Sequence, residues 1–189
     1  MRAAPRRRRA RPGAPVRSYT RLARGPVRTR STRAPALDVD VVRTGSQWAP
    51  AATDIRRWAS AALGRRATGS ELAVRVVGRS ESRRLNAHYR GKDKPTNVLS
   101  FPVGAPAEAA TVRGVPQPLG DLVICAAVLR REAREQGKPL KDHWAHLVVH
   151  GVLHLVGYDH EQPGEARRME RREIAVLRGF GIPNPYRES

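Results

Sequence analysis

Three histidines at metal-binding spacing lie in the run His150-Gly-Val-Leu-His154-Leu-Val-Gly157-Tyr-Asp-His160. Residues four apart on a helix share one face a turn apart, so His150 and His154 can reach one ion at about 2.0–2.1 Å. The third ligand requires the chain to turn back. Gly157, just past the helical stretch, can take the left-handed conformation that ends a helix and returns His160 toward the other two. Three neutral nitrogen ligands with no fourth protein ligand nearby leave an open position on a zinc ion, the arrangement of a catalytic site.

A lone histidine on a helix is ordinarily core or solvated surface, but three at this spacing around a helix-ending glycine follow the zincin pattern. A rival pair exists. At 100° per residue, His143 and His146 fall on the same stripe as His150 and His154, so His146 with His150 is as good a pair on geometry alone. The Gly-x-x-His continuation favours the later set. His143 and His146 then read either as groups behind the ligands or beside the substrate, or as ordinary helix-surface residues.

The elements that must carry these ligands are legible in the periodicity. Leu37 to Arg43 alternates like a half-buried strand, and Pro50 to Arg66 carries Ile55, Trp58, Ala59, Ala62 and Leu63 at helical spacing. Leu72, Val74 and Val76 mark a second strand, and Ser80 is placed to cap a short helix through Leu85 to Tyr89, with Glu81 in its first turn. Asn97 to Val103 and Leu119 to Cys125 read as two more strands, separated by a loop rich in Pro, Gly and Ala. Three helices follow at about 126–136, 140–156 and 163–179. The expected fold is a single α/β domain: a small mixed central sheet of about four strands, packed by helices, with a zincin-like metal helix.

Charge divides the chain. Residues 1–37 hold twelve arginines and no acid, for a formal +12, and residues 38–189 carry the remaining +7. A cationic, Pro-rich segment poor in large apolar groups buries too little to offset its chain entropy, so residues 1–37 are expected to be a disordered tail and 38–189 the folded domain. Three roles fit the tail: an arm on RNA phosphates, an organelle transit peptide, which Pro5, Pro12, Pro15 and Pro26 disfavour, or a start site placed too far upstream. No apolar stretch approaches the length of a membrane span. Cys125, the only cysteine, reads as a small buried residue of a cytosolic protein.

Ahead of the third strand, His88-Tyr89-Arg90-Gly91-Lys92-Asp93-Lys94-Pro95-Thr96-Asn97 is dense in hydrogen-bond donors. Arg90 before Gly91 can present a planar fork to a phosphate. Lys92 and Lys94 flank Asp93, and the plain alternative is a solvated loop with local ion pairing. Beside a metal site in a basic domain, Arg90, Lys92, Lys94 and Asn97 favour a polyanionic substrate.

These blocks resemble the YbeY family of bacterial endoribonucleases and ribosomal RNA maturation factors. The likeness rests on Leu85-Asn86 and Tyr89 to Pro102, on Leu119-Gly120-Asp121-Leu122-Val123-Ile124-Cys125, and on the run from His143-Trp144-Ala145-His146 to His160, and it covers residues 38 to about 186. The tail has no counterpart in the family pattern. The resemblance implies a cytoplasmic, zinc-dependent, single-strand-selective endoribonuclease acting on ribosomal RNA, notably at the small-subunit RNA 3′ end, and in ribosome quality control. It also implies ribosomal partners, one zinc ion held by His150, His154 and His160, and an essential Arg90.

Two alternatives stay open on the residues themselves. One is a non-catalytic RNA-binding assembly factor whose zinc pins the helix of His150 to the loop of His160. The other is a zinc protease or other hydrolase, which Gly151 disfavours: the H-E-x-x-H metalloproteases use a glutamate there as general base. The missing side chain is expected to leave room beside the metal for a phosphodiester. Asp159 is the carboxylate nearest the ligands in sequence, and orienting a ligand suits it as well as proton transfer does.

Overall fold

The computed structural model describes residues 37–45, 47–103 and 116–187. The tail expected at 1–37 lies outside the described residues but for Leu37, as does most of the Pro-, Gly- and Ala-rich loop. The chain runs β1 (Asp38–Arg43), α1 (Ala52–Leu63) with a 3-10 turn (Gly64–Ala67), β2 (Ser70–Val77), α2 (Arg79–Arg90) and β3 (Val98–Pro102). It continues through β4 (Gln117–Cys125), α3 (Ala126–Glu135), α4 (Leu140–Leu155) and α5 (Pro163–Arg178).

The four strands form one mixed sheet in the order β1-β2-β4-β3, parallel except for β3, which runs antiparallel to β4. Side chains alternate across it as the two-residue period requires. Leu122 and Ile124 of β4 join Leu72, Val74 and Val76 of β2 in the larger core, where α1, α4 and α5 bring Ile55, Trp58, Trp144, Val148, Met169 and Leu177. Val123 and Cys125 belong instead to a smaller cluster with Val77, Leu99 and Val128, against which Leu85 of α2 packs. Three layers result, with α4 at the centre of the thicker one. Cys125 is buried and unpaired. No helix among the described residues is long and apolar enough to cross a membrane.

α2 differs from expectation at its start. Its N-cap is Gly78, in extended conformation directly after β2, so the helix begins one residue before Ser80. Ser82, one turn in, holds the following loop by exchanging hydrogen bonds with the Thr96 backbone, its Oγ donating to the carbonyl at 2.8 Å and accepting from N–H at 2.9 Å.

Helix α4 is apolar around most of its circumference, with Trp144, Ala145, Leu147, Val148, Val149, Val152, Leu153 and Leu155 all buried. Such a helix belongs inside a domain. What interrupts the apolar surface is one stripe of His143, His146, His150 and His154. Gly151 faces away from that stripe, against the sheet: a Cβ there would lie 2.8 Å from Leu122 Cδ2 and 3.3 Å from Ser100 Oγ. This corrects the expectation that Gly151 clears space for substrate. It lets α4 settle on β3 and β4, and Ser100 Oγ donates to its carbonyl at 3.2 Å.

Gly151→Leu should therefore overpack the contact with Leu122 and cost about 1–3 kcal/mol. Urea unfolding measures it, and an unchanged midpoint would show that the gap between α4 and the sheet is looser than these distances.

Candidate metal centre

Helix α4 ends as the ligand spacing demands. Gly157 takes φ +91°, its N–H donates to His154 O at 3.1 Å and Tyr158 N–H to Leu153 O at 3.0 Å, closing a left-handed cap of the Schellman type. The chain reverses through Tyr158 and Asp159. Asp159 Oδ1 accepts the His160 N–H at 2.7 Å, so this carboxylate shapes the ligand turn through its backbone.

The structure brings His150, His154 and His160 together, with one ring nitrogen from each lying within 4.8 Å of the others. His150 Nε2 and His154 Nε2 are 3.2 Å apart. Two nitrogens bound to one tetrahedral ion at 2.0–2.1 Å stand about 3.3–3.4 Å apart, so this pair already has ligand spacing. His160 is more exposed, its ring centroid 4.8 Å from that of His154 and 5.6 Å from that of His150. His154 is held neutral, as a ligand must be: burial first, then the charges of His150 and His160, push its pKa down to about 4, against a smaller upward pull from Tyr158 and Asp159. Spacing, neutrality and an all-imidazole donor set fit a zinc-type ion.

Behind these histidines stands Glu173 of α5, fully buried, which periodicity alone did not single out as functional. Its Oε1 accepts from His150 Nδ1 at 2.8 Å, and its Oε2 accepts from His146 Nε2 at 3.2 Å and from the Tyr186 hydroxyl. Burial pushes its pKa up, but hydrogen bonds from His146, His150 and Tyr186 outweigh this and hold it at about 2. Burial lowers the pKa of His146 despite that carboxylate, and raises that of Tyr186, with Glu173 adding to the rise. A signal was present in the sequence: Met169, Glu173, Val176 and Leu177 share one buried stripe of α5, and an acid on an apolar stripe must find donors. His146, His150 and Glu173 make a second group able by distance to hold an ion.

His143 is not a surface residue. It is buried, and its Nε2 donates to Glu132 Oε2 of α3 at 3.1 Å. The same oxygen accepts from Asn97 Nδ2 at 3.0 Å, and Asn97 Oδ1 accepts the Val98 N–H at 2.7 Å. Asn97, expected among the RNA contacts, thus has both ends of its amide engaged within the fold. Burial works to raise the Glu132 pKa, but the hydrogen bonds from His143 and Asn97 lower it on balance.

Arg90 is exposed at the last turn of α2, where Gly91 caps the helix, donating to Ala87 O at 3.1 Å, and Lys92 N–H reaches Asn86 O at 3.3 Å. Asp93 does not pair with its neighbours. It is gripped from outside the loop by Arg83, through Nε at 2.7 Å and a terminal nitrogen at 2.6 Å. Each partner favours the charged form of the other, mainly by hydrogen bonding, raising the pKa of Arg83 and lowering that of Asp93. The alternative of local pairing with Asp93 is not what forms, and Arg90, Lys92 and Lys94 are exposed with no side-chain ion pair to the described residues. Asn86 Nδ2 holds the loop by donating to Lys94 O at 2.7 Å.

The depressed pKa of His154 sets a pH dependence. In metal-free protein the unfolded chain takes up a proton at this ring near pH 6.5, the folded one only near 4. Between these values the unfolded state binds more protons, so stability falls as pH is lowered. The urea midpoint of metal-free wild type should drop from pH 7 to pH 5, and the drop should be smaller in His154→Ala. An equal drop would assign it to other groups.

The sequence model of the family described as Endoribonuclease YbeY matches residues 44–181. A protein named Endoribonuclease YbeY from Alkalilimnicola ehrlichii is 57% identical over 161 residues, covering 82% of this chain and 93% of that one. A namesake from Methylococcus capsulatus is 54% identical over 153 residues, covering 80% and 97%. A solution structure from Thermotoga maritima is similar at a TM-score of 0.48 and 21% identity, over 79% of this chain and 99% of that one. With a family match over most of its length and relatives this similar, the chain belongs to the endoribonuclease YbeY family.

Proposed function

We propose that this protein is a zinc-dependent, single-strand-selective endoribonuclease that matures ribosomal RNA at the small-subunit 3′ end and serves ribosome quality control in the cytoplasm. The observation that carries the reading is the convergence of His150, His154 and His160, in a chain whose relatives are named endoribonucleases. His150, His154 and His160 would hold the zinc ion, which would supply Lewis-acid chemistry toward a phosphoryl oxygen or a water.

The protein's own groups do the rest. Arg90 offers a bidentate fork to the non-bridging oxygens of the scissile phosphate, where negative charge grows during cleavage. Lys92 and Lys94, which Arg83 frees by taking Asp93, meet flanking phosphates and draw RNA in by charge. Two ties keep this loop and strand in register with the metal helix: Asn97 through Glu132 to His143, and Ser100 to Gly151. The tail at 1–37 adds an RNA arm in this reading. Peptide hydrolysis gains no support, since a glutamate at 151 would collide with Leu122.

The test is cleavage of a single-stranded ribosomal RNA fragment by protein freed of contaminating nuclease, with and without chelator. Wild type should cut and lose the activity with its metal. Arg90→Ala should keep zinc content and melting temperature while losing at least about a hundredfold in cleavage rate, as when a donor to a developing oxyanion is removed. Arg90→Lys should rescue poorly, because a point charge cannot reproduce the fork. RNA binding without chelator-sensitive cleavage would instead favour an assembly factor with a structural metal.

A further inference from the structure

A buried carboxylate is stable only where donors satisfy its oxygens, and those donors must have a proton to give. At Glu173 they are His150 Nδ1, His146 Nε2 and the Tyr186 hydroxyl. A neutral imidazole has one N–H. With that proton on Nδ1, His150 has a bare lone pair on Nε2, the atom that faces His154 Nε2 at 3.2 Å. His146 is committed the other way. Its N–H at Nε2 points to Glu173, and its Nδ1 is buried without a hydrogen-bond partner among the described residues.

We propose that Glu173 is the positioning residue of the metal centre, fixing His150 as the Nδ1–H tautomer with Nε2 aimed at the ion, and that Tyr186 holds Glu173 in place. This role rests on the reading of His150, His154 and His160 as the ligands. It also assigns the second group, His146, His150 and Glu173, to support: the protons of both rings lie between their nitrogens and the carboxylate, where an ion in that group would have to sit. A carboxylate behind a ligand imidazole raises its basicity and fixes its ring orientation, and its removal typically costs 10–100-fold in metal affinity. Tyr186 donates to the oxygen that His146 also uses, which leaves Oε1 to His150 alone.

The experiment uses the full chain, stripped of metal, as wild type, Glu173→Gln and Tyr186→Phe. Two quantities are read: the protonation of each His150 ring nitrogen, from nitrogen-15 chemical shifts in the metal-free protein, and zinc affinity, by competition with a chromophoric chelator. Wild type should show His150 protonated at Nδ1 and bare at Nε2. Glu173→Gln should populate the opposite tautomer and weaken zinc binding by about 10–100-fold. Tyr186→Phe should keep the tautomer and weaken zinc by a smaller factor, about three- to tenfold, and it carries the test if the glutamine variant fails to fold.

A lower melting temperature in both variants, with tautomer and zinc affinity unchanged, would reduce Glu173 to a purely structural residue and overturn the proposal. Zinc lost in Glu173→Gln and in His146→Ala but retained in His160→Ala would place the ion in the second group and overturn it as well. Wild type that binds no zinc at all would overturn the ligand reading, and this role with it.

Discussion

A polar stripe on a helix that is otherwise buried has to find partners, and that constraint organises this molecule. α4 sits in the middle of the larger core, and its four histidines cannot all be satisfied by water. Exposure rises along the stripe, with side chains 4%, 14% and 24% accessible at His143, His146 and His150. At the closed end a carboxylate from a flanking helix answers each ring, Glu132 from α3 for His143 and Glu173 from α5 for His146. At the open end the remaining nitrogens face one another and His160. One helix thus grades from internal hydrogen bonding to a cluster of lone pairs suited to a cation.

The sheet supplies the second half of the arrangement. β3 is the one antiparallel strand among the described residues, and it connects the basic loop after α2 to the surface on which α4 rests. Because Asn97 reaches α3 and Ser100 reaches the α4 backbone, the loop is braced at both ends of its exit. Ser82 and Asn86 fix it to α2 on the entry side. A loop dense in like charge would otherwise spread, and here polar side chains inside the fold set its course while the cations stay free for a partner.

Much of this was legible in the sequence because it depends on local periodicity. The bounds of α4 and α5, the alternating strand that became β1 and the reversal at Gly157 all follow from spacing and from one residue's conformational range. What escaped depended on partners distant in sequence. Glu173 looked like one more acid of a charged helix until α4 stood against it. The plain alternative for the loop paired Asp93 with its neighbouring lysines, yet Arg83, ten residues earlier, lies within reach once α2 is formed. Gly151 was expected to face the metal site, but between His150 and His154 the helix already turns toward Leu122. Ser80 has cap chemistry, and the helix nevertheless starts at Arg79 because β2 ends at Val77 and Gly78 is the N-cap.

The order in which these parts are made is also instructive. The three histidines precede Glu173 in the chain, and Glu173 precedes Tyr186. Without α5, His150 lacks the carboxylate that accepts from its Nδ1. A chain in which α5 has yet to pack on α4 therefore carries the three histidines without the support of Glu173 and Tyr186. Chain direction places α5 after all three histidines, so the cluster gains its buried carboxylate from behind only when that helix is in place.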